Sequence, residues 1–171
     1  EAVVGVAEDR DDRFAEHLPD VERALKRTLT VRIAGDEDAA IALWLRTWQQ
    51  AYPDIDFAAR LNWWRDRWRN ELVPQTRIVV AENEGAMTGF VTVDPESFYL
   101  DQIVVAPEAW GSGAADVLLA EARRLSPGGL DLQVNQDNAR AIRFYQKRGF
   151  AITGEDKNCS GRLTYWMKWR P

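Results

Sequence analysis

Residues 111–115 read Gly-Ser-Gly-Ala-Ala, and they follow the β-branched run Ile103, Val104 and Val105 with Pro107 in between. An apolar-periodic segment comes next, carried by Ala114, Val117, Leu118, Ala122 and Leu125. This pattern reads as a buried strand, a tight loop of small residues and the start of a helix. Such a junction exposes unpaired backbone N–H groups at the positive end of a helix, and side chains this small let a large anion approach them. The chemistry on offer is phosphate or pyrophosphate binding by the main chain. The plainer alternative is a strand-to-helix turn in which glycine serves geometry alone.

A second stretch, residues 135–150, begins with Asn135 and ends with Gly149 and Phe150. Asn138 suits a helix N-cap and Gly149 a left-handed C-terminal position. Ala141, Ile142, Phe144 and Tyr145 fall on the apolar side, while Arg140, Arg143, Lys147 and Arg148 supply charge. Taken alone, this is an ordinary surface helix with its aromatic face in the core.

The elements that must position these residues follow from periodicity and punctuation. Strands are predicted over 29–34, 76–82, 86–93, 97–105, 130–134, 150–153 and 163–169, with a hairpin turn at Asn83-Glu84-Gly85. Helices are predicted over 36–52, 56–72, 114–125 and 138–148, the second with Leu61, Trp64, Trp68 and Leu72 on one stripe. Residues 1–27 are charge-rich and weakly patterned, a short helix or a flexible extension, and 28–171 form the organised domain. The order predicts an α/β fold of the α+β kind, a mixed sheet with helices on both faces.

Composition narrows the function classes. The chain has 171 residues, 46% of them hydrophobic, enough for one sizeable core. Its net charge of −5 argues against a nucleic-acid partner. No apolar run is long enough to cross a bilayer. Cys159 is the only cysteine and His17 the only histidine, so neither a metal site nor a Cys- or His-based nucleophile is expected. A reducing, cytoplasmic setting fits.

Together, the two stretches resemble the acetyl-CoA-dependent N-acyltransferases of the GNAT superfamily. The family's first motif is a strand, V-x-P, and a loop Q/R-x-x-G-x-G/A, whose marked places fall here on Trp110, Gly113 and Ala115. Trp110 departs from the usual Gln or Arg. The second motif, N-x-x-A-x-x-x-Y-x-x-x-G-F, is met by Asn138, Ala141, Tyr145, Gly149 and Phe150. The resemblance covers residues 29–171 and implies a mostly antiparallel sheet with a central parallel strand pair.

It further implies acetyl-CoA as cosubstrate, with no metal. Trp110, Gly111, Ser112, Gly113, Ala114 and Ala115 would meet the pyrophosphate, and Ile103, Val104 and Val105 the pantetheine arm; Asn135, Asn138 and Tyr145 are further cofactor-binding candidates. That arm needs a local parting of the strand at 97–105 from the one at 130–134. Arg140, Arg143 or Lys147 would reach the 3′-phosphate, or else form a solvated helix face. A backbone N–H near Val104 or Val105 is the candidate oxyanion donor, and Tyr145 the general acid towards the CoA sulfur. Asp101, two residues before Ile103 and thus on the same side of the strand, is a candidate base or a structural residue. Glu82, Asp54 or Asp56 acting through water are alternatives. Trp48, Tyr52 and Trp63 are candidate walls of the acceptor pocket, where aromatic faces near Asp54, Asp56 and Glu71 would suit a cationic amine. The acceptor is a small-molecule amine or a protein amino group, and a homodimer is left open. Direct transfer within a ternary complex is the expected mechanism. A catalytically silent acyl-CoA-binding module is the alternative function. A dinucleotide-binding reading fails because the third small residue of that fingerprint falls on Asp116.

Overall fold

The computed structural model describes residues 29–31 and 36–171, so the predicted extension at 1–27, and His17 with it, lie outside the described residues. Strand β1 (Leu29–Val31) is followed by helix α1 (Glu37–Ala51) and a 3₁₀ turn at Ala58–Arg60. Helix α2 (Leu61–Arg67) continues through a π-helical turn at Trp68–Leu72 and a last turn at Val73–Gln75. Then come β2 (Arg77–Asn83), β3 (Ala86–Asp94), β4 (Tyr99–Val105), α3 (Ala114–Leu125), β5 (Leu130–Asn135), α4 (Ala139–Lys147), β6 (Ala151–Lys157) and β7 (Leu163–Trp169).

The strands form one sheet in the order β1-β2-β3-β4-β5-β7-β6, antiparallel except at β4 and β5. That central parallel pair, with helices on both faces, is the architecture expected from the sequence. One face packs on α3 and α4 through Leu100, Ile103, Val105, Leu118, Leu132 and Tyr145. The other packs on α1 and α2 through Trp44, Trp64, Trp68, Val80, Phe90 and Val104. Trp64, Trp68 and Leu72 are buried as their spacing predicts, but the second helix is not one uninterrupted element from residue 56. The Asp56 carboxylate accepts the Ala59 N–H at 3.1 Å, which satisfies the start of the 3₁₀ turn rather than of an α-helix.

Two irregularities in the sheet matter for the site. The first is a bulge in β4: Thr92 of β3 faces Gln102, while Val93 faces Leu100, leaving Asp101 as the extra residue. The second is a parting. β4 and β5 share a single register pair, Tyr99 with Asp131, closed by the Asp131 N–H donating to the Phe98 carbonyl at 2.8 Å. Beyond it the two strands diverge, although β5 stays paired with β7 along its whole length.

Candidate active site

The loop between β4 and α3 is built by two left-handed glycines. Gly111 has φ 80° and Gly113 φ 84°, conformations that cost a residue with a Cβ roughly 1–2 kcal/mol. Short-range bonds hold the loop: the Trp110 N–H donates to Pro107 at 3.3 Å, and the Ser112 hydroxyl to the Ala109 carbonyl at 2.6 Å. The amides of Gly111, Gly113, Ala115 and Asp116 find no hydrogen-bond partner among the described residues. They lie where the helix dipole of α3 is positive, a cradle of amides whose chemistry suits an anion. Asp116 does not intrude on it. Its carboxylate is held by Arg148, whose Nη2 donates at 2.6 Å and whose Nη1 donates to the Phe144 carbonyl at 2.9 Å. That clamp ties the first turn of α3 to the end of α4.

Trp110 turns away from the cradle. Its indole N–H donates to the Val105 carbonyl at 2.9 Å, and the Arg140 guanidinium stacks 5.5 Å from its ring. Along β4, the Ala106 N–H donates to Thr88 of β3 at 2.8 Å, and the Gln102 N–H to the Thr92 hydroxyl at 3.0 Å. Strand alternation therefore commits the Val104 N–H to β3 as well and directs those of Ile103 and Val105 into the gap facing β5. Of the two expected oxyanion donors, Val105 has the usable orientation and Val104 does not.

Tyr145 is fully buried, its ring packed edge-on against Phe144 and Phe150, both with centroids at 5.2 Å. Its hydroxyl has no hydrogen-bond partner among the described residues. Burial pushes the phenol well above its ordinary value, only partly offset by the charge of Arg148, so it stays protonated at neutral pH. Among the described residues, this buried hydroxyl is a hydrogen-bond donor with nothing to donate to. Asn138 caps α4, accepting the Ala141 N–H at 3.0 Å.

Asp101 is not on the side of Ile103. The bulge breaks the alternation, and its carboxylate takes both Arg67 Nη atoms at 2.7 Å on the α2 side. Arg67 is 8% exposed and Asp101 2%. Burial alone would lower the Arg67 guanidinium; the Asp101 hydrogen bond and charge reverse this and leave it raised. The pair fastens α2 to β4.

The candidate acceptor-side aromatics do come together. Trp48, Tyr52 and Trp63 line one cleft with Gln102 of β4, Asn135 at the end of β5, and Arg162 beyond β6. Asn135 accordingly faces this cleft rather than the cradle: it donates to the Tyr52 hydroxyl at 3.4 Å and accepts from Asn158 at 3.3 Å. Asp54, Asp56 and Glu71 do not line the cleft, contrary to the expectation of carboxylates beside the rings. Glu71 instead meets Arg67 at 3.1 Å in a neighbouring cleft.

Comparison with known proteins decides the family. Residues 37–150 match the Acetyltransferase (GNAT) family. The chain belongs to this family. It is 32% identical over 135 residues to the peptidyl-lysine N-acetyltransferase YiaC of Escherichia coli, covering 77% of this chain and 88% of that protein. It is 28% identical over 118 residues to the peptidyl-lysine N-acetyltransferase YjaB of Salmonella typhimurium, covering 68% and 78%. Among solved structures, the PaiA N-acetyltransferase of Thermoplasma acidophilum in complex with coenzyme A superposes with a TM-score of 0.66 at 16% identity, covering 84% of this chain and 99% of that one.

The glycine loop and the α4 cap stand where the motifs put them, while Gln102, Asn158, Ser160, Arg60 and Arg162 of the cleft were not singled out from sequence. Polar residues in a bulge or loop carry no periodic signal. Among the described residues, no group of three His, Cys, Asp or Glu is placed to hold a metal, and no helix is long and apolar enough to cross a membrane.

Proposed function

We propose that this GNAT protein transfers an acetyl group from acetyl-CoA to a primary amine, directly, within a ternary complex. The residues present fit that cosubstrate: free amides at 111, 113, 115 and 116 suit a pyrophosphate, and the β4–β5 gap suits an extended amide chain. The observation that carries the reading is the orphaned Tyr145 hydroxyl, fully buried on the helix that follows β5. When bound, acetyl-CoA supplies a thioester whose C–S bond breaks as the amine forms its N–C bond.

The chain's own residues divide the work. The amides of Ile103 and Val105 hold the extended arm in register, and that of Val105 is the candidate donor to the carbonyl oxygen as negative charge develops. Tyr145 gives its proton to the departing sulfur and recovers one from the amine through solvent. Gly111–Ala115 anchor the phosphates from the loop. Asp101 acts as a positioning residue, because both its oxygens are engaged by Arg67. The wall formed by Trp48, Tyr52 and Trp63 receives the acceptor. The names of the two curated relatives, both peptidyl-lysine N-acetyltransferases, support an amino group as the nucleophile.

The test is calorimetric titration with acetyl-CoA followed by thiol release with a panel of amines. Saturable binding with turnover on at least one amine is expected. Binding with no turnover on any amine would leave a silent acyl-CoA-binding module, and absence of binding would overturn the assignment of the cradle.

A further inference from the structure

The acceptor cleft has a charge opposite to what a lysine side chain wants. Among the described residues its lining holds two guanidinium groups, Arg60 and Arg162, and no carboxylate. Both cations sit at the solvent-facing rim of the cleft and lean on its rings: Arg60, exposed, lies 5.5 Å from the Phe57 ring and Arg162 5.1 Å from that of Tyr52. Arg162 has a partial counter-ion in Asp137, outside the lining, at 3.6 Å. Arg60 has no ion pair among the described residues.

The deeper wall adds a second, independent observation. Among the described residues, Trp48 Nε1 and Trp64 Nε1 are buried donors without partners, and Gln102 Oε1 is a buried acceptor without one. All three residues line the cleft and are more than nine-tenths buried, and the three atoms themselves, with almost no exposed surface, lie just behind its wall. Native structures leave few such groups unsatisfied, because a buried polar atom pays for lost water until something pairs with it. Two N–H donors and two guanidinia suit the oxygens of an anion, and the single acceptor suits an N–H.

We infer that the acceptor is a small amine carrying its own carboxylate on an apolar or aromatic body, the amino-acid class, rather than the lysine of a protein. This rests on the acetyltransferase reading above. The rings stack on the apolar body, Arg60 and Arg162 draw the carboxylate, and Gln102 accepts from the amine. An ammonium is disfavoured beside two guanidinia with no carboxylate in the lining, so the amine sheds its proton to water before it attacks, and no carboxylate base is required. Transfer then proceeds with the N–C bond formed, the C–S bond broken and the sulfur protonated by Tyr145. A lysine side chain, whose amine carries no carboxylate, would find nothing there for the two arginines.

The test uses matched pairs on the full chain, with CoA present for the binding arm and acetyl-CoA for the transfer arm: phenylalanine against phenylalaninamide, leucine against leucinamide, and an acetyl-lysyl-amide peptide analogue with a free ε-amine. Binding is read by quenching of tryptophan fluorescence, and transfer by thiol release. The carboxylated member of each pair should bind at least tenfold more tightly than its amide and the lysine analogue. That difference should vanish in the Arg60→Gln, Arg162→Gln double variant, through Kd and KM more than through kcat. Equal or absent binding of the carboxylated amines, or a carboxylate preference that survives the double variant, overturns the inference. Binding preference without thiol release sustains the inference about the cleft and instead sinks the transferase reading, so the two failures are distinguishable.

Discussion

The Tyr145 hydroxyl is buried with no partner among the described residues, and an unsatisfied buried hydroxyl costs about 1–3 kcal/mol. Phenylalanine at this position removes the cost along with the proton. Tyr145→Phe should therefore lower kcat by roughly 10²–10⁴-fold. CoA affinity should be unchanged and the thermal midpoint equal or higher. A variant that lost stability in step with activity would make the residue structural. The pH dependence has a definite sign as well. Burial raises the folded-state value of the phenol, so its contribution to stability is complete below the unfolded value of about 10 and is lost as pH rises through the higher folded one. Turnover should rise with deprotonation of the amine through neutral pH and show no loss assignable to Tyr145 below about pH 10. A falling limb between pH 7 and 9 that disappears in Tyr145→Phe would contradict this. Asp101 makes the opposite case. Its removal leaves the buried Arg67 with only the exposed Glu71 as counter-ion, at a cost of up to about 3–5 kcal/mol. Asp101→Asn should unfold at markedly lower denaturant while folded molecules keep most of their kcat; a stable, inactive Asp101→Asn would restore it as the base. Tyr145 was legible from its place in a motif. The partner of Asp101 was not, because nothing in the sequence marks a bulge that turns one carboxylate through the strand.

At the scale of elements, the loop–helix junction at 111–115 was readable because it is local: small residues, a proline and an amphipathic run lie within a few residues of one another. Gly113 caps α3 in the left-handed region, so Gly113→Ala should cost about 1–2 kcal/mol of stability. Because the amides beside it would be re-aimed, CoA affinity should fall by more than that loss explains, which competition binding measures directly. The α3–α4 clamp was not legible. Asp116 and Arg148 stand 32 residues apart, and their pairing depends on how two helices cross one sheet face. Helix boundaries failed for a related reason. The stripe Trp64, Trp68, Leu72 fixed which side is buried, but the widened turn at Trp68–Leu72 and the 3₁₀ entry depend on tertiary packing and on the Asp56 side chain.

For the whole molecule, the division of labour follows from the sheet. Motif residues share one half, β4 to α4, and their contacts are short-range. The aromatic cleft instead joins α1, the 3₁₀ turn, α2, β4, β5 and the β6–β7 loop, so no contiguous pattern announces it. The aromatic residues at helical spacing gave its walls; its positive charge emerges only when Arg60 and Arg162 meet in space. A ligand that binds only the folded protein adds to stability by mass action. Acetyl-CoA at a hundred times its dissociation constant should contribute about 2.7 kcal/mol, seen as a raised thermal midpoint.

The one-residue seam between β4 and β5 has a kinetic consequence. Beyond Tyr99 and Asp131, two runs of main chain border a slot with no rungs across it, so the amide protons of Ile103 and Val105 should swap with deuterated solvent far faster than central-strand neighbours do. Acetyl-CoA seated in the slot would serve as the missing rungs. Those two protons should then slow sharply while the β2–β3 ladder hardly changes, and the contrast would show a cosubstrate finishing a sheet that the polypeptide leaves unlaced.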